Sequence, residues 1–165
     1  MKAIYLTGFM GSGKTTVAEE LSKALALPSE DTDKHVTKMQ GREIPVIFEN
    51  EGEKAFRSYE AASLKDLPTE NIIISTGGGI VLSEINRSFM KQNGIMIYLH
   101  CEPEEIVKRL EGDTSRPLLA GDNKQNKINA IFTERLPLYR EADYEIETTN
   151  RSVKDIVAEI CQRIG

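Results

Sequence analysis

The stretch GFMGSGKTT, Gly8 to Thr16, follows directly on the apolar run AIYLT and constrains this chain more than any other feature. A turn at the end of a buried strand needs one glycine or two; it has no use for a lysine and a hydroxyl at set positions behind them. Gly8, Gly13, Lys14 and Thr15 fill the pattern G-x-x-x-x-G-K-S/T, which is what a phosphate-cradling loop requires. Glycines let an anion approach backbone N–H groups and accept the positive φ of a concave nest. The helix predicted to begin near Thr15 aims its unpaired N–H groups and positive dipole end at the same place. Lys14 adds a compact charge for the β/γ-phosphates, and the Thr15 hydroxyl offers a ligand for Mg²⁺.

A strand leading into such a loop implies an open sheet, and the rest of the chain alternates accordingly. KAIYLT reads as a buried strand, followed by a helix with Val17, Leu21, Ala24 and Leu25 on one face. A poorly marked strand is expected around LPSED, then helices over about 34 to 67, with breaks at Gly41 and Gly52. NIIIST predicts a strand closed by Gly77, Gly78 and Gly79; a helix near 83 to 92 leads to the strand GIMIYLH. PEEIVKRLEG predicts a short helix opened by Pro103 and stopped by Gly112. YEIET is the last strand, and Val153, Ile156, Val157, Ile160 and Ile164 stripe a closing helix. Near-continuous apolar strands separated by helices mean an α/β fold, a parallel sheet covered on both faces. A chain of 165 residues is expected to form one domain. Its one long irregular stretch, GDTSRPLLAGDNK at 112 to 124, has the length of a lid or binding loop.

Composition narrows the partners. A net charge of −5 argues against a general nucleic-acid binder and against a polybasic membrane anchor. No apolar run approaches the ~20 residues of a membrane span, and no signal peptide precedes the first strand, so a cytoplasmic location is expected. Cys101 and Cys161 lie far apart without C-x-x-C spacing and read as small buried hydrophobes. A GTPase would carry N-K-x-D; the nearest strings, NKQN and NKIN, lack the aspartate. What remains is chiefly the kinases of small acceptors.

Acceptor residues are sought at the strand ends, which line the crevice of an open α/β sheet. Asp31 and Asp33 in EDTD stand two apart; in an extended segment they project the same way, one toward a metal-bound water and one toward an attacking hydroxyl. A helix N-cap is the equally natural alternative. Gly77 to Gly79 would let a substrate touch backbone N–H groups, and Ser75 could reach a metal-bound water. Arg57, with Glu53 four residues before and Glu60 three after, reads alone as a surface ion pair, as do Arg116 and Arg135 as surface charges. Together, in an acidic chain, they suggest an anionic acceptor, for which the planar arginine fork suits a carboxylate. His35 and His100 show no metal-site spacing and read as structural or surface residues; Phe9 and Met10 read as packing that also shapes the loop wall.

With these pieces in order, the sequence resembles the shikimate kinase family nearly end to end. LTGFMGSGKTTVAEELSKAL, DTD, IFENEGEKAFRSYE, STGGGIV, SRPLLAG and RLPLYREADYEIET follow that family in order and spacing. The resemblance implies a three-layer P-loop fold like that of nucleoside-monophosphate kinases, with a five-stranded parallel sheet, a substrate-binding segment at about 33–61 and a lid at about 112–124. It implies transfer of the ATP γ-phosphate to the 3-hydroxyl of shikimate, with Mg²⁺ as cofactor, by a monomer. Lys14, Asp33 and Arg116 are then the catalytic residues. ATP would meet Gly11, Ser12, Gly13, Lys14, Thr15, Thr16 and Arg116, with Arg109 and Arg151 flanking the adenine. Asp33, Arg57, Gly78, Gly79 and Arg135 would hold shikimate, Glu60 would orient Arg57, and Thr15 and Asp31 (through water) would hold the metal. Two departures stand out: Ser29-Glu30 where the family usually has an apolar pair, and Thr15 where serine is frequent. A gluconate kinase with the same loop and an ATP-binding module without turnover are the rival readings.

Overall fold

The structure, a computed structural model, describes residues 1–111 and 124–165. Arg116 and all but the last residue of the predicted lid at 112–124 lie outside the described residues, as does Gly112.

The described strands form one five-stranded parallel sheet. They are β1 (Ala3–Thr7), β2 (Ser29–Asp31), β3 (Ile73–Ser75), β4 (Gly94–His100) and β5 (Tyr144–Glu147), in the spatial order β2-β3-β1-β4-β5. β1 is central, pairing Ile4 with Ile73 on one side and with Ile95 on the other. All five β1 residues are buried, as a strand covered on both faces requires. Because side chains alternate across a strand, β1 feeds two cores. Ala3 and Tyr5 join Ile74, Met96 and Tyr98 on one face; Ile4 and Leu6 join Ile73, Ile97, Leu99 and Ile146 on the other.

The first core is covered by Leu64 of α4 (Glu53–Asp66) and by α5 (Glu84–Asn93), α6 (Pro103–Arg109) and α7 (Lys124–Tyr139). The second is covered by α1 (Lys14–Leu25) and α8 (Val153–Ile164) through Val17, Ala18, Leu21, Ile156, Val157 and Ile160. Ala18, not Ala24, completes the buried face of α1; Ala24 is exposed. A third, smaller cluster of Val36, Ile47 and Phe56 joins α2 (Thr32–Gln40), α3 (Ile44–Glu51) and α4 away from the sheet. The predicted breaks at Gly41 and Gly52 are where α2 and α3 end, both at positive φ.

The faint strand around LPSED is present, and two other expectations change. β2 is a three-residue strand, and Ser29-Glu30 sits well in it because β2 is the sheet margin: Glu30 is exposed while its backbone pairs with Ile74. The segment after Asp31 is not extended, since α2 begins at Thr32 and Asp33 lies in its first turn. The helix α7, with Pro137 inside it, has no counterpart among the predicted elements. Among the described residues no helix is long and apolar enough to cross a membrane. Both cysteines are free thiols, Cys101 buried and Cys161 partly so.

Candidate active site

The C-terminal ends of β1, β2 and β3 deliver the loop at Gly8, the carboxylates at Asp31 and Asp33, and the Gly77–Gly79 turn to one crevice. Its larger cavity, about 430 Å³, is lined by Gly11 to Thr16, Asp31, Asp33, Ser75, Gly77 and Gly78, and also by Arg109, Thr148 and Arg151. The loop residues Gly11 to Thr16 therefore share one cavity with Arg109 and Arg151, the two arginines expected at the adenine end. Gly13 takes φ 88° as the N-cap of α1, a conformation that glycine adopts without strain, and no side chain caps the helix. Lys14 is buried and donates to Gly8 O at 2.8 Å and Phe9 O at 3.0 Å, which anchors its amine at the mouth of the nest. Arg109 donates to Gly11 O at 3.1 Å, and Arg151 to Glu147 O at 2.8 Å, so each is fixed at the cavity wall.

Asp31 caps a helix and also faces the phosphate loop. Its Oδ1 accepts from Asp33 N at 2.9 Å and Lys34 N at 3.1 Å, capping α2, while Oδ2 accepts from the Thr15 hydroxyl at 3.1 Å. A hydroxyl and a carboxylate oxygen side by side at the head of the phosphate nest are the hard oxygen ligands Mg²⁺ prefers. Ser75 Oγ lines the same cavity, buried and without a hydrogen-bond partner among the described residues. These residues fit the ion.

The residues expected to hold the acceptor lie around the three glycines, and Gly77 and Gly79 leave no room for a side chain. A Cβ at Gly77 would fall 2.6 Å from Asp33 Oδ1 and 2.6 Å from Glu60 Oε2. At Gly78 it would lie 3.6 Å from Arg135 Nη1, and at Gly79 it would overlap the Arg57 guanidinium, 2.6 Å from Cζ. Two carboxylates and two guanidinium groups thus converge on bare backbone. A second cavity of about 380 Å³, lined by Arg57, Glu60, Gly79 and Leu82 among others, opens on the far side of this turn. Gly77 and Gly78 wall the first cavity and Gly79 the second, so the turn is their common boundary.

Arg57 is more than a surface ion pair. Its Nη1 donates to Glu60 Oε1 at 3.1 Å, and Glu60 is only 1% exposed; its outer side meets Glu53 at 3.3 Å. Burial is the main force raising the Glu60 carboxyl; Asp33 adds to it and Arg57 opposes it, leaving the pKa pushed up to about 7. Arg135 is 4% exposed, lies 5.9 Å from the Phe9 ring centre, and has Nη1 without a hydrogen-bond partner among the described residues. A buried cation with a donor to spare beside Gly78 is an anion site in chemical terms.

Sequence reasoning misses two wall residues. Tyr139 donates to Gly78 O at 2.5 Å and stacks on Tyr98 at 5.0 Å, holding the glycine turn from below. Thr148 lines the phosphate cavity while bonding His100 O through both its N–H and its hydroxyl, at 2.8 and 2.7 Å. The only signal for Tyr139 is its place four residues after Arg135, one helical turn on. His35 is structural as expected, bonding Asp66 at 2.8 Å between α2 and α4.

Known proteins resemble this chain in sequence and in fold. The shikimate kinase family profile matches residues 10–165. A shikimate kinase of Bacillus cytotoxicus is 48% identical over 165 residues, covering 100% of this chain and 99% of its own. The solved shikimate kinase of Acinetobacter baumannii, in complex with shikimate, superposes with TM-score 0.96 at 40% identity, over 99% of this chain and 93% of that one. A gluconokinase from Sinorhizobium meliloti, at 13% identity and TM-score 0.58 over 98% of this chain and 94% of its own, shares the fold alone.

Proposed function

The chain belongs to the shikimate kinase family, and from that membership and the geometry of the crevice we propose how its own residues carry out ATP-dependent phosphorylation of shikimate. The acceptor is the 3-hydroxyl, and the product feeds aromatic amino-acid synthesis. What supports the residue assignments most is the glycine turn. It separates a phosphate nest from a pair of arginines and is stripped of side chains where Asp33, Glu60, Arg135 and Arg57 crowd in.

ATP binds with its phosphates over Gly11–Thr16 and its base between Arg109 and Arg151. Thr15, Asp31 (through water) and Ser75 are the residues that would hold Mg²⁺, which would supply charge neutralisation for the triphosphate. Shikimate places its carboxylate on Arg57 and Arg135, both pre-organised before it arrives: Arg57 by Glu60, Arg135 by Phe9. Gly78 and Gly79 present backbone N–H groups, and Asp33 faces the 3-hydroxyl. Asp33 takes the hydroxyl proton as the oxygen attacks the γ-phosphorus in line, and ADP leaves. Lys14 and the N–H groups of the nest stabilise the charge that moves onto the leaving oxygen. Arg116, from the lid expected at about 112–124, would stabilise the charge on the transferring phosphoryl group. We read the enzyme as a cytoplasmic monomer, and its net charge of −5 favours a reading without nucleic-acid or membrane partners.

A coupled ADP-release assay with shikimate, gluconate and nucleoside monophosphates tests this. Shikimate-dependent turnover, with the other acceptors at background, is expected. Gluconate turnover would replace the acceptor, and ATP binding without product would replace the enzyme with a binding module.

A further inference from the structure

At the same C-terminal edge of the sheet as the glycine turn, but on its β4–β5 side, His100 and Glu102, two apart in sequence, meet the distant Glu147 around one point. His100 ends β4, Glu102 is the N-cap residue of α6, and Glu147 ends β5. His100 Nε2 lies 2.9 Å from Glu102 Oε1 and 3.9 Å from Glu147 Oε2, and one ligand atom from each residue falls within 4.8 Å of the others. We propose that His100, Glu102 and Glu147 form a binding site for a borderline divalent cation such as Zn²⁺, distinct from the metal that accompanies the nucleotide.

The distances suit the ion. Tetrahedral Zn²⁺ with bonds near 2.1 Å to nitrogen and oxygen keeps its ligand atoms about 3.4 Å apart, between the two separations from the ring nitrogen; the exposed carboxylates would swing in to close the remaining gap, and a water would complete the shell. One imidazole and two carboxylates suit zinc or cobalt better than calcium or magnesium, whose shells are all oxygen.

The surroundings are more telling than the three ligands. His100 is 5% exposed, its ring held edge-on against Tyr98 and Phe132, and its Nδ1 lies 2.9 Å from the Tyr98 hydroxyl. That is the outer-shell arrangement that fixes a metal-binding imidazole: with Nδ1–H donating to the tyrosine oxygen, the Nε2 that now donates to Glu102 would release its proton to the solvent on binding the cation and offer its lone pair in its place. Glu147 is fixed too, since its Oε1 accepts from Thr149 N at 3.0 Å and leaves Oε2 facing the ring. Thr149 in turn accepts from Glu102 N at 3.0 Å, so the two carboxylate-bearing segments are already tied together. A cation here would brace the connection from β5 to α8, which brings Thr148 and Arg151 to the nucleotide cavity.

Chelator-stripped protein titrated with Co²⁺ and Zn²⁺ alone, without nucleotide, provides the test. One Co²⁺ per chain, with visible bands of four- or five-coordinate geometry displaced by Zn²⁺, is expected in the wild type. The same is expected in Asp31→Asn, which disables the nucleotide-metal position while keeping a good helix cap. Glu147→Gln should weaken binding at least ~10-fold and Tyr98→Phe roughly 10-fold, as for other lost ligands and outer-shell partners. His100→Ala should abolish it; should that variant fail to fold by circular dichroism, the double Glu102→Gln/Glu147→Gln takes its place. Equal binding by Glu147→Gln, loss in Asp31→Asn, or no binding up to millimolar metal would each overturn the site and leave a histidine clasped by two carboxylates.

Discussion

In the proposed mechanism Asp33, Glu60 and Arg57 carry different parts of the work, and single changes separate them. Asp33→Asn keeps the shape and removes the base, so kcat should fall by at least ~10²-fold with a smaller change in KM; near-normal turnover of the purified variant would take the proton elsewhere. Arg57→Ala leaves Glu60 buried without its partner and the acceptor carboxylate half gripped. A shikimate titration should show roughly 2–5 kcal/mol of lost affinity. Glu60 also makes a prediction about stability. Its carboxyl is raised to about 7 in the folded chain, so between its ordinary value and neutrality the native state keeps a proton that the unfolded chain releases. Stability therefore declines as pH rises through that window, by roughly 1–3 kcal/mol. Urea midpoints at pH 5 and pH 7.5 should show the decline in the wild type, and Glu60→Gln should flatten it.

Among the elements, the glycine turn between β3 and α5 is the most exacting. Gly79→Ala would drive a methyl group into the Arg57 guanidinium. The expected result is a shikimate KM raised at least ~10-fold with ATP binding intact, the split that a displaced clamp produces. Equal losses for both substrates would mean that the turn itself has moved. How legible each element is depends on the range of its cause. The phosphate loop is readable because every requirement lies within Gly8 to Thr16, and the breaks at Gly41 and Gly52 because a positive φ is a local demand. The reasons for Gly77, Gly78 and Gly79 are not local: the side chains against them come from positions 33, 60, 135 and 57. The strand β2 is faint because a marginal strand needs no apolar run, and Asp33 misleads because the helix starts one residue before it. Pro137 hides α7, since it interrupts the backbone donor series that a helix is read by. His100, Glu102 and Glu147 show no ligand spacing because β4 and β5, neighbours in the sheet, are separated in the chain by α6 and α7.

For the molecule as a whole, nucleotide binding should register as stability, because the cavity gathers residues from β1 through the β5–α8 connection. ATP·Mg²⁺ at 100 times its dissociation constant adds about 2.7 kcal/mol, which for a chain of this size raises Tm by about 5–10 °C. Lys14→Ala should lose most of that shift at the same nucleotide concentration, and an undiminished shift would place the triphosphate elsewhere. The sheet's order has a further consequence, concerning other copies of the chain. Both outermost strands leave a row of backbone groups unpaired, the template on which proteins zip together into fibres. Here one margin is three residues long and carries Glu30; the other is four long and carries Glu145 and Glu147. Two copies approaching margin to margin would find too short a ladder and repelling carboxylates, so the open sheet is guarded against self-polymerisation by the same polar residues that make its ends hard to read.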